Sequence, residues 1–216
     1  MLVEQIMTRD VVTLSPDNTL QEALDISRRH RVRHLPVVKD GNLVGLISDR
    51  DLRAAAPSIL DKAGDDSILC DVRVEQLMVK EVITAHPLDF AEDAASQIYK
   101  HFIGCLPVVT QDKLVGIVTE RDVLRTLVEM MGVNAPTSRI EVEVPDKSGM
   151  LAQISDLLRA RRINTSAVMV FPSEKEGYKT IVFRIRTMDP RGFIKDIEAA
   201  GYRVILHPYA VTDGEV

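Results

Sequence analysis

Apolar positions along this chain keep two rhythms. Leu20, Ala23, Leu24 and Ser27 place small or apolar side chains every three or four residues, the spacing of one helix face. Thr19-Leu20-Gln21-Glu22 opens that helix with a hydroxyl and an acid three apart, so each can bond the other's backbone amide. Leu35-Pro36-Val37-Val38 and Leu43-Val44-Gly45-Leu46-Ile47 are continuous apolar runs of strand length. Asp40-Gly41 between them tolerates the positive φ of a tight hairpin turn. A second helix is predicted from Ser48. The unit reads strand–helix–strand–strand–helix.

The same pattern returns 71 residues later. EQIMTRDVVTLSP (4–16) falls on EQLMVKEVITAHP (75–87), and RHLPVVKDGNLVGLISDRDL (33–52) falls on GCLPVVTQDKLVGIVTERDV (104–123). Between positions 4 and 52, seventeen of 49 residues are identical without a gap, which establishes two copies of one unit. In the second copy Asp89 and Glu92 are expected to cap the first helix, Gln111-Asp112 to make the turn, and Thr119 to open the second helix. The boundaries predicted are 1–60 for the first copy and 72–131 for the second. Residues 61–71 link them, and Pro57 with Gly64-Asp65-Asp66 makes residues 53–71 an interrupted helix and loop. Residues 132–138, with Gly132 and Pro136, form a second linker.

A different rhythm starts at 139. RIEVEV alternates, with Ile140, Val142 and Val144 on one face, the pattern of a half-buried strand. A helix comes next on Leu151, Ile154, Leu157 and Leu158. Strands are predicted around 164–171 and 178–186, then a helix capped by Asp189-Pro190 that carries Phe193, Ile194 and Ile197 and stops at Gly201. YRVILHP closes as a strand. The order βαββαβ over 139–212 is the ferredoxin-like arrangement of an antiparallel sheet with helices on one face. The fold class is therefore α/β in the α+β sense.

Composition narrows the function. The 216 residues carry 27 Lys and Arg against 32 Asp and Glu, a formal charge of −5, which argues against nucleic acid as a partner. No apolar run approaches the roughly 18 residues of a membrane span, and MLVEQIMTRD is no secretory leader. Cys70 and Cys105 form no disulfide framework and no CxxC, as expected of a cytoplasmic protein. His86, His101 and His207 lack metal-ligand spacing, and no P-loop, GxGxxG, GxSxG or HExxH is present. Neither a catalytic nor a metal site is predicted.

One layout occurs twice. In Gly45-Leu46-Ile47-Ser48-Asp49-Arg50-Asp51 and Gly116-Ile117-Val118-Thr119-Glu120-Arg121-Asp122 a strand ends, a hydroxyl opens a helix and an acid stands three positions later. A capping box alone explains the pattern. A nucleoside phosphate explains it too: helix-start amides and Arg receive phosphate, the Asp accepts two ribose hydroxyls, and glycine leaves room beside the backbone. The copies differ at Arg28-Arg29-His30-Arg31-Val32-Arg33-His34, which stands opposite Tyr99-Lys100-His101-Phe102-Ile103-Gly104-Cys105. Those cations complement a helix C-terminus or make the nearest cleft tolerant of more phosphate.

Through LPVV, DGNLVGLISDRDL and LVGIVTERDV, residues 1–130 resemble a tandem pair of CBS modules (named for cystathionine β-synthase). The resemblance implies clefts that bind adenine nucleotides such as AMP, ADP or ATP. It assigns ribose to Asp51 and Asp122, and phosphate to Ser48, Thr119, Arg50 and Arg121. The adenine pockets fall to Thr13 with His34-Leu35-Pro36, and to Thr84 with Cys105-Leu106-Pro107. VPDKSGMLAQISDLLRARRIN (144–164) resembles an ACT domain, whose ligand loop would comprise Asp146, Ser148, Gly149, Met150 and Leu151 with Asn164, and whose ligand is an amino acid or small carboxylate. Ser148 replaces the proline usual before the glycine. The order of modules resembles the acetoin-utilisation B-type regulatory proteins. That resemblance implies a cytoplasmic, non-catalytic homodimeric sensor, read by a regulated protein whose identity it leaves open. The rival readings are a ligand-free dimerisation scaffold and a nucleotide hydrolase using Asp51 or Asp122 as base.

Overall fold

The structure, a computed structural model, describes residues 1–56 and 67–205. The predicted loop around Pro57 and Gly64 and the end of the YRVILHP strand lie outside the described residues. The chain forms two units, Met1–Leu124 and Arg125 onward.

The first unit contains α1 (Val3–Ile6), α2 (Leu20–His30), β1 (His34–Lys39), β2 (Asn42–Ser48), α3 (Asp49–Ala55), α4 (Ser67–Asp71), α5 (Val74–Leu77), α6 (Ala91–His101), β3 (Cys105–Thr110), β4 (Lys113–Thr119) and the start of α7 (Glu120–Met130). Each copy folds its two central strands into an antiparallel hairpin, and the hairpins join at Asn42 and Lys113 in the order β1-β2-β4-β3. Both turns use two residues at positive φ: Asp40 and Gly41, and Gln111 and Asp112. The second turn keeps this geometry without glycine, because the register of β3 on β4 imposes it.

Thr19 caps α2 as its sequence predicts, with the Glu22 amide on Thr19 Oγ1 at 3.1 Å and the Thr19 amide on Glu22 Oε2 at 2.9 Å. The equivalent cap in copy two is a correction. Asp89 instead accepts the His86 amide at 2.7 Å, and α6 starts after Phe90 with no side-chain cap. The leading strand of each copy is reduced to a one-residue bridge, Leu14 on Val37 and Ala85 on Val108. Pro16 and Pro87, two residues on, lack the amide a longer ladder requires.

The leading segments of the two copies are exchanged. Val3 and Ile6 of α1 are buried in the core of copy two with Ala91, Ile98 and Leu106. Val74 of α5 is buried in copy one with Leu20, Leu35 and Leu52. The backbone repeats this reciprocity. Thr8 and Ile117 trade amide bonds at 2.9 and 3.0 Å, and Val79 and Leu46 do so at 2.9 Å each way. Burying each such aliphatic side chain contributes about 1.5–3 kcal/mol, so neither copy completes its core without the other.

The second unit builds β5 (Ser138–Pro145), α8 (Met150–Ala160), β6 (Thr165–Pro172), β7 (Tyr178–Ile185), α9 (Arg191–Ala199) and β8 (Arg203–Ile205) into a four-stranded antiparallel sheet, ordered β6-β7-β5-β8. Phe183 of β7 meets Phe193 of α9 edge-on, with ring centroids 6.4 Å apart, among Ile140, Val142, Ile154 and Leu158. Arg161, at the end of α8, clasps Asp196 within α9 through paired hydrogen bonds. This is the ferredoxin-like arrangement the strand and helix pattern predicts.

Candidate functional site

The exchange decides which residues meet. Because Thr8 is bridged to Ile117, the stretch Asp10–Val12 lies beside the start of α7. Thr119, Arg121 and Asp122 share a cleft of about 330 Å³ with Thr8, Asp10 and the β1 approach Arg31–His34. Val79 is bridged to Leu46 in the same way. Ser48, Arg50 and Asp51 share a cleft of about 480 Å³ with Val79, Glu120 and the β3 approach Phe102–Cys105. Each cleft thus joins the helix start of one copy to the strand start of the other.

Within each cleft the hydroxyl and the acid are locked together. Ser48 Oγ donates to Asp51 Oδ2 at 2.5 Å, and the Ser48 amide donates to the same oxygen at 3.2 Å. The Asp51 amide returns a bond to Ser48 Oγ at 3.3 Å. In copy two Thr119 Oγ1 and its amide donate to Asp122 Oδ2 at 2.6 and 3.0 Å. The caps fix where each carboxylate points. Asp51 is exposed and Asp122 buried.

Residues 3–58 and 74–129 each match the family model of the CBS domain. The chain belongs to the CBS-domain proteins. Residues 138–201 match the ACT domain. The chain is similar to the CBS domain-containing protein YhcV of Bacillus subtilis, 36% identical over 120 residues that span 56% of this chain and 81% of that one. It is also 33% identical over 124 residues to inosine-5′-monophosphate dehydrogenase of Methanocaldococcus jannaschii, a match covering 56% of this chain but only 23% of the enzyme. Among solved structures, a Vibrio cholerae protein given the acetoin-utilization name AcuB is 33% identical, with a TM-score of 0.52, over 63% of this chain and 98% of its own. The CBS pair of protein MJ0100, solved with 5′-methylthioadenosine and S-adenosyl-L-methionine, is 30% identical with a TM-score of 0.50, over 59% of this chain and 95% of its own. CBS and ACT modules are regulatory rather than catalytic.

In this CBS pair His34 reaches both clefts. Burial lowers its pKa, reinforced by neighbouring Arg33 and opposed by Glu120 and Asp51, so the neutral ring is favoured. Cys105, its counterpart in the repeat, is buried and its thiol is pushed up to about 12, chiefly by desolvation and then by Glu120. A thiol so held is a poor nucleophile.

Several residues named from the sequence stand elsewhere. Leu35 and Leu106 are fully buried and their side chains belong to the two cores. Pro36 and Pro107 are buried within their strands, Thr13 is exposed outside the cleft linings, and Thr84 borders a separate depression of about 220 Å³ with Lys80 and Asp112. Gly45 and Gly116 correct the expectation of room for a ligand. A Cβ on Gly45 would stand 2.4 Å from Met78 Sδ, and one on Gly116 would stand 2.5 Å from Met7 Sδ, so these glycines admit the exchanged segment. The cleft residues missed were Thr8, Asp10, Val79, Phe102 and Glu120. No local pattern marked them, since the bridges Thr8–Ile117 and Leu46–Val79 that assemble the clefts join residues far apart in the chain.

The basic run divides. Arg28, Arg29 and His30 end α2, where the helix dipole favours them, while Arg31–His34 line the cleft with Asp122. In the ACT domain Gly149 turns into α8 at φ 88°, Asp146 pairs with Lys179 at 2.7 Å, and Ser148 and Leu151 are exposed. Met150 packs on the domain core. Asn164 lies past the other end of α8, in a cleft of about 570 Å³ with Ser155, Arg159 and Arg162. A single chain therefore does not gather the predicted loop and Asn164 into one cavity. Among the described residues no cluster of His, Cys, Asp or Glu could hold a metal ion, and no helix is long and apolar enough to cross a membrane.

Proposed function

We propose that this chain is a regulatory sensor whose CBS clefts bind adenosine-containing ligands of the AMP, ADP and ATP class. The observation that carries this reading is the pair of related clefts, each setting a hydroxyl, an arginine and an aspartate against the strand start of the opposite copy. The aspartate accepts ribose hydroxyls, the arginine and hydroxyl receive phosphate, and the strand start flanks the base. The adenosine derivatives bound by MJ0100 support the ligand class. The likeness to the Vibrio protein supports a place in acetoin utilisation.

Because the leading segments cross between copies, a ligand in either cleft touches both copies at once. Binding shifts their packing only if it favours one arrangement, and a regulated protein reads that shift. The chain acts as a cytoplasmic homodimer, and its ACT domain takes an amino acid or small carboxylate at Asp146–Leu151 once a second copy completes the site with Asn164. The test is thermal unfolding of the full chain with AMP, ADP, ATP and S-adenosylmethionine. A ligand at 100 times its Kd stabilises the folded state by about 2.7 kcal/mol, which raises Tm by several degrees at this length. No rise with any of them would replace this reading with that of a ligand-free scaffold.

A further inference from the structure

The two clefts are built from equivalent positions of one repeat, so their differences are informative. Where the cleft holding Asp122 has Thr8 and Arg31, the cleft holding Asp51 has Val79 and Phe102 at the equivalent positions, while Arg33 and His34 line both. A hydroxyl and a cation are thus matched by two apolar side chains. The charged linings differ in the same sense. Arg31, Arg33 and Arg121 face Asp10 and Asp122 in the first cleft. In the second, Arg33 and Arg50 face Asp49, Asp51 and Glu120. Arginines outnumber acids in one cleft and acids outnumber arginines in the other. Phe102 stands nearly bare at the rim of the second cleft, at the αL position that ends α6, and Arg31 takes the same position after α2.

From this contrast we infer that the clefts divide their ligands by charge. The cleft of Asp122 takes an adenosine di- or triphosphate. The cleft of Asp51 takes an adenosine whose 5′ carbon bears no phosphate, a thioether or a sulfonium. The inference rests on the adenosine reading above and adds the class of ligand to each cleft. A polyphosphate needs cations it can pair with, and three arginines supply them. Beside Glu120 the same phosphates would meet like charge, whereas a neutral thioether carries no charge to be repelled and packs on Phe102, and a sulfonium finds more acids than arginines in the lining. The cleft of Asp51 is also the larger, about 480 against 330 Å³.

Calorimetric titration of the full chain with magnesium-free ATP and with 5′-methylthioadenosine tests the division, on wild type, Arg31→Gly and Phe102→Arg. Glycine is the residue preferred at the αL end of a helix, so Arg31→Gly keeps the fold, and a melt without ligand confirms it. Wild type is expected to bind both ligands together without competition. Arg31→Gly should weaken ATP about tenfold, the loss of one charge-assisted contact, and leave methylthioadenosine within twofold. Phe102→Arg should weaken methylthioadenosine and admit a second ATP. Mutual displacement of the two ligands, or unchanged ATP affinity in Arg31→Gly, overturns the division while the adenosine reading stands. Binding of neither ligand, nor of AMP or S-adenosylmethionine, overturns both.

Discussion

The imidazole of His34 fills the space a side chain at Gly104 would need: a Cβ built there would stand 2.5 Å from His34 Nε2. The two residues come from the strand starts of opposite copies, where the clefts approach one another. Only one copy can place a ring there, because the other supplies the glycine that receives it. This contact makes the duplicated unit asymmetric at the place both clefts share.

Gly104→Ala should therefore destabilise the protein by about 1–3 kcal/mol, the usual cost of overpacking. The double variant with His34→Ala should recover much of that loss, because the atom the methyl strikes is gone. Chemical denaturation of the four proteins gives the coupling directly. Additive losses would mean that the ring moves aside without cost.

His34 also gives a pH dependence of known sign. Its folded-state pKa lies below the 6.5 of the unfolded chain, because burial and Arg33 disfavour the cation. Between the folded value and 6.5 the unfolded chain binds more protons, so stability falls as pH drops through that window. Tm of the wild type should decline more between pH 7.5 and 5.5 than Tm of His34→Gln. Equal declines would remove His34 from the account.

The exchange of leading segments predicts a displaced effect. Ile6→Ala removes a side chain of copy one but opens the core of copy two, at a cost of about 2–5 kcal/mol. Hydrogen exchange should rise in β3 and β4 before β1 and β2. The opposite order would place Ile6 in its own copy.

The two thiols should separate cleanly. Cys70 is exposed, while Cys105 is buried with its thiol held protonated to about pH 12. A thiol reagent at pH 8 should modify one cysteine in the native protein and both after unfolding. Rapid native modification of Cys105 would show that its cleft wall opens.

Much of this structure was legible in the repeat. The hairpins, the Thr19 cap and the paired helix starts at Ser48 and Thr119 come from local residue choice. The βαββαβ order of the C-terminal unit was equally plain from its alternating strands. The miss at Asp89 was one of register: Asp89 stands where the first copy has Asn18, which likewise accepts the amide three residues back, and the cap position itself falls on Phe90. The clefts were legible in half. The Ser/Thr-x-Arg-Asp side declares itself in sequence, but its opposite wall is set by a crossing that no local pattern encodes. Gly45 and Gly116 show the consequence, since room beside the backbone was visible and its occupant, a methionine from the other copy, was not.

The central claim is that each cleft is an adenosine site anchored by its aspartate. Calorimetry of the full chain with adenosine, the group common to the ligands of both clefts, on wild type, Asp51→Asn, Asp122→Asn and the double variant, tests the aspartate anchors themselves. Ser48→Ala serves as control for the cap, whose loss alone costs about 1 kcal/mol of stability. Each single variant should lose the binding that belongs to its own cleft, and the double variant should bind nothing while remaining folded. Adenosine bound with unchanged affinity and stoichiometry by the folded double variant would contradict both anchors.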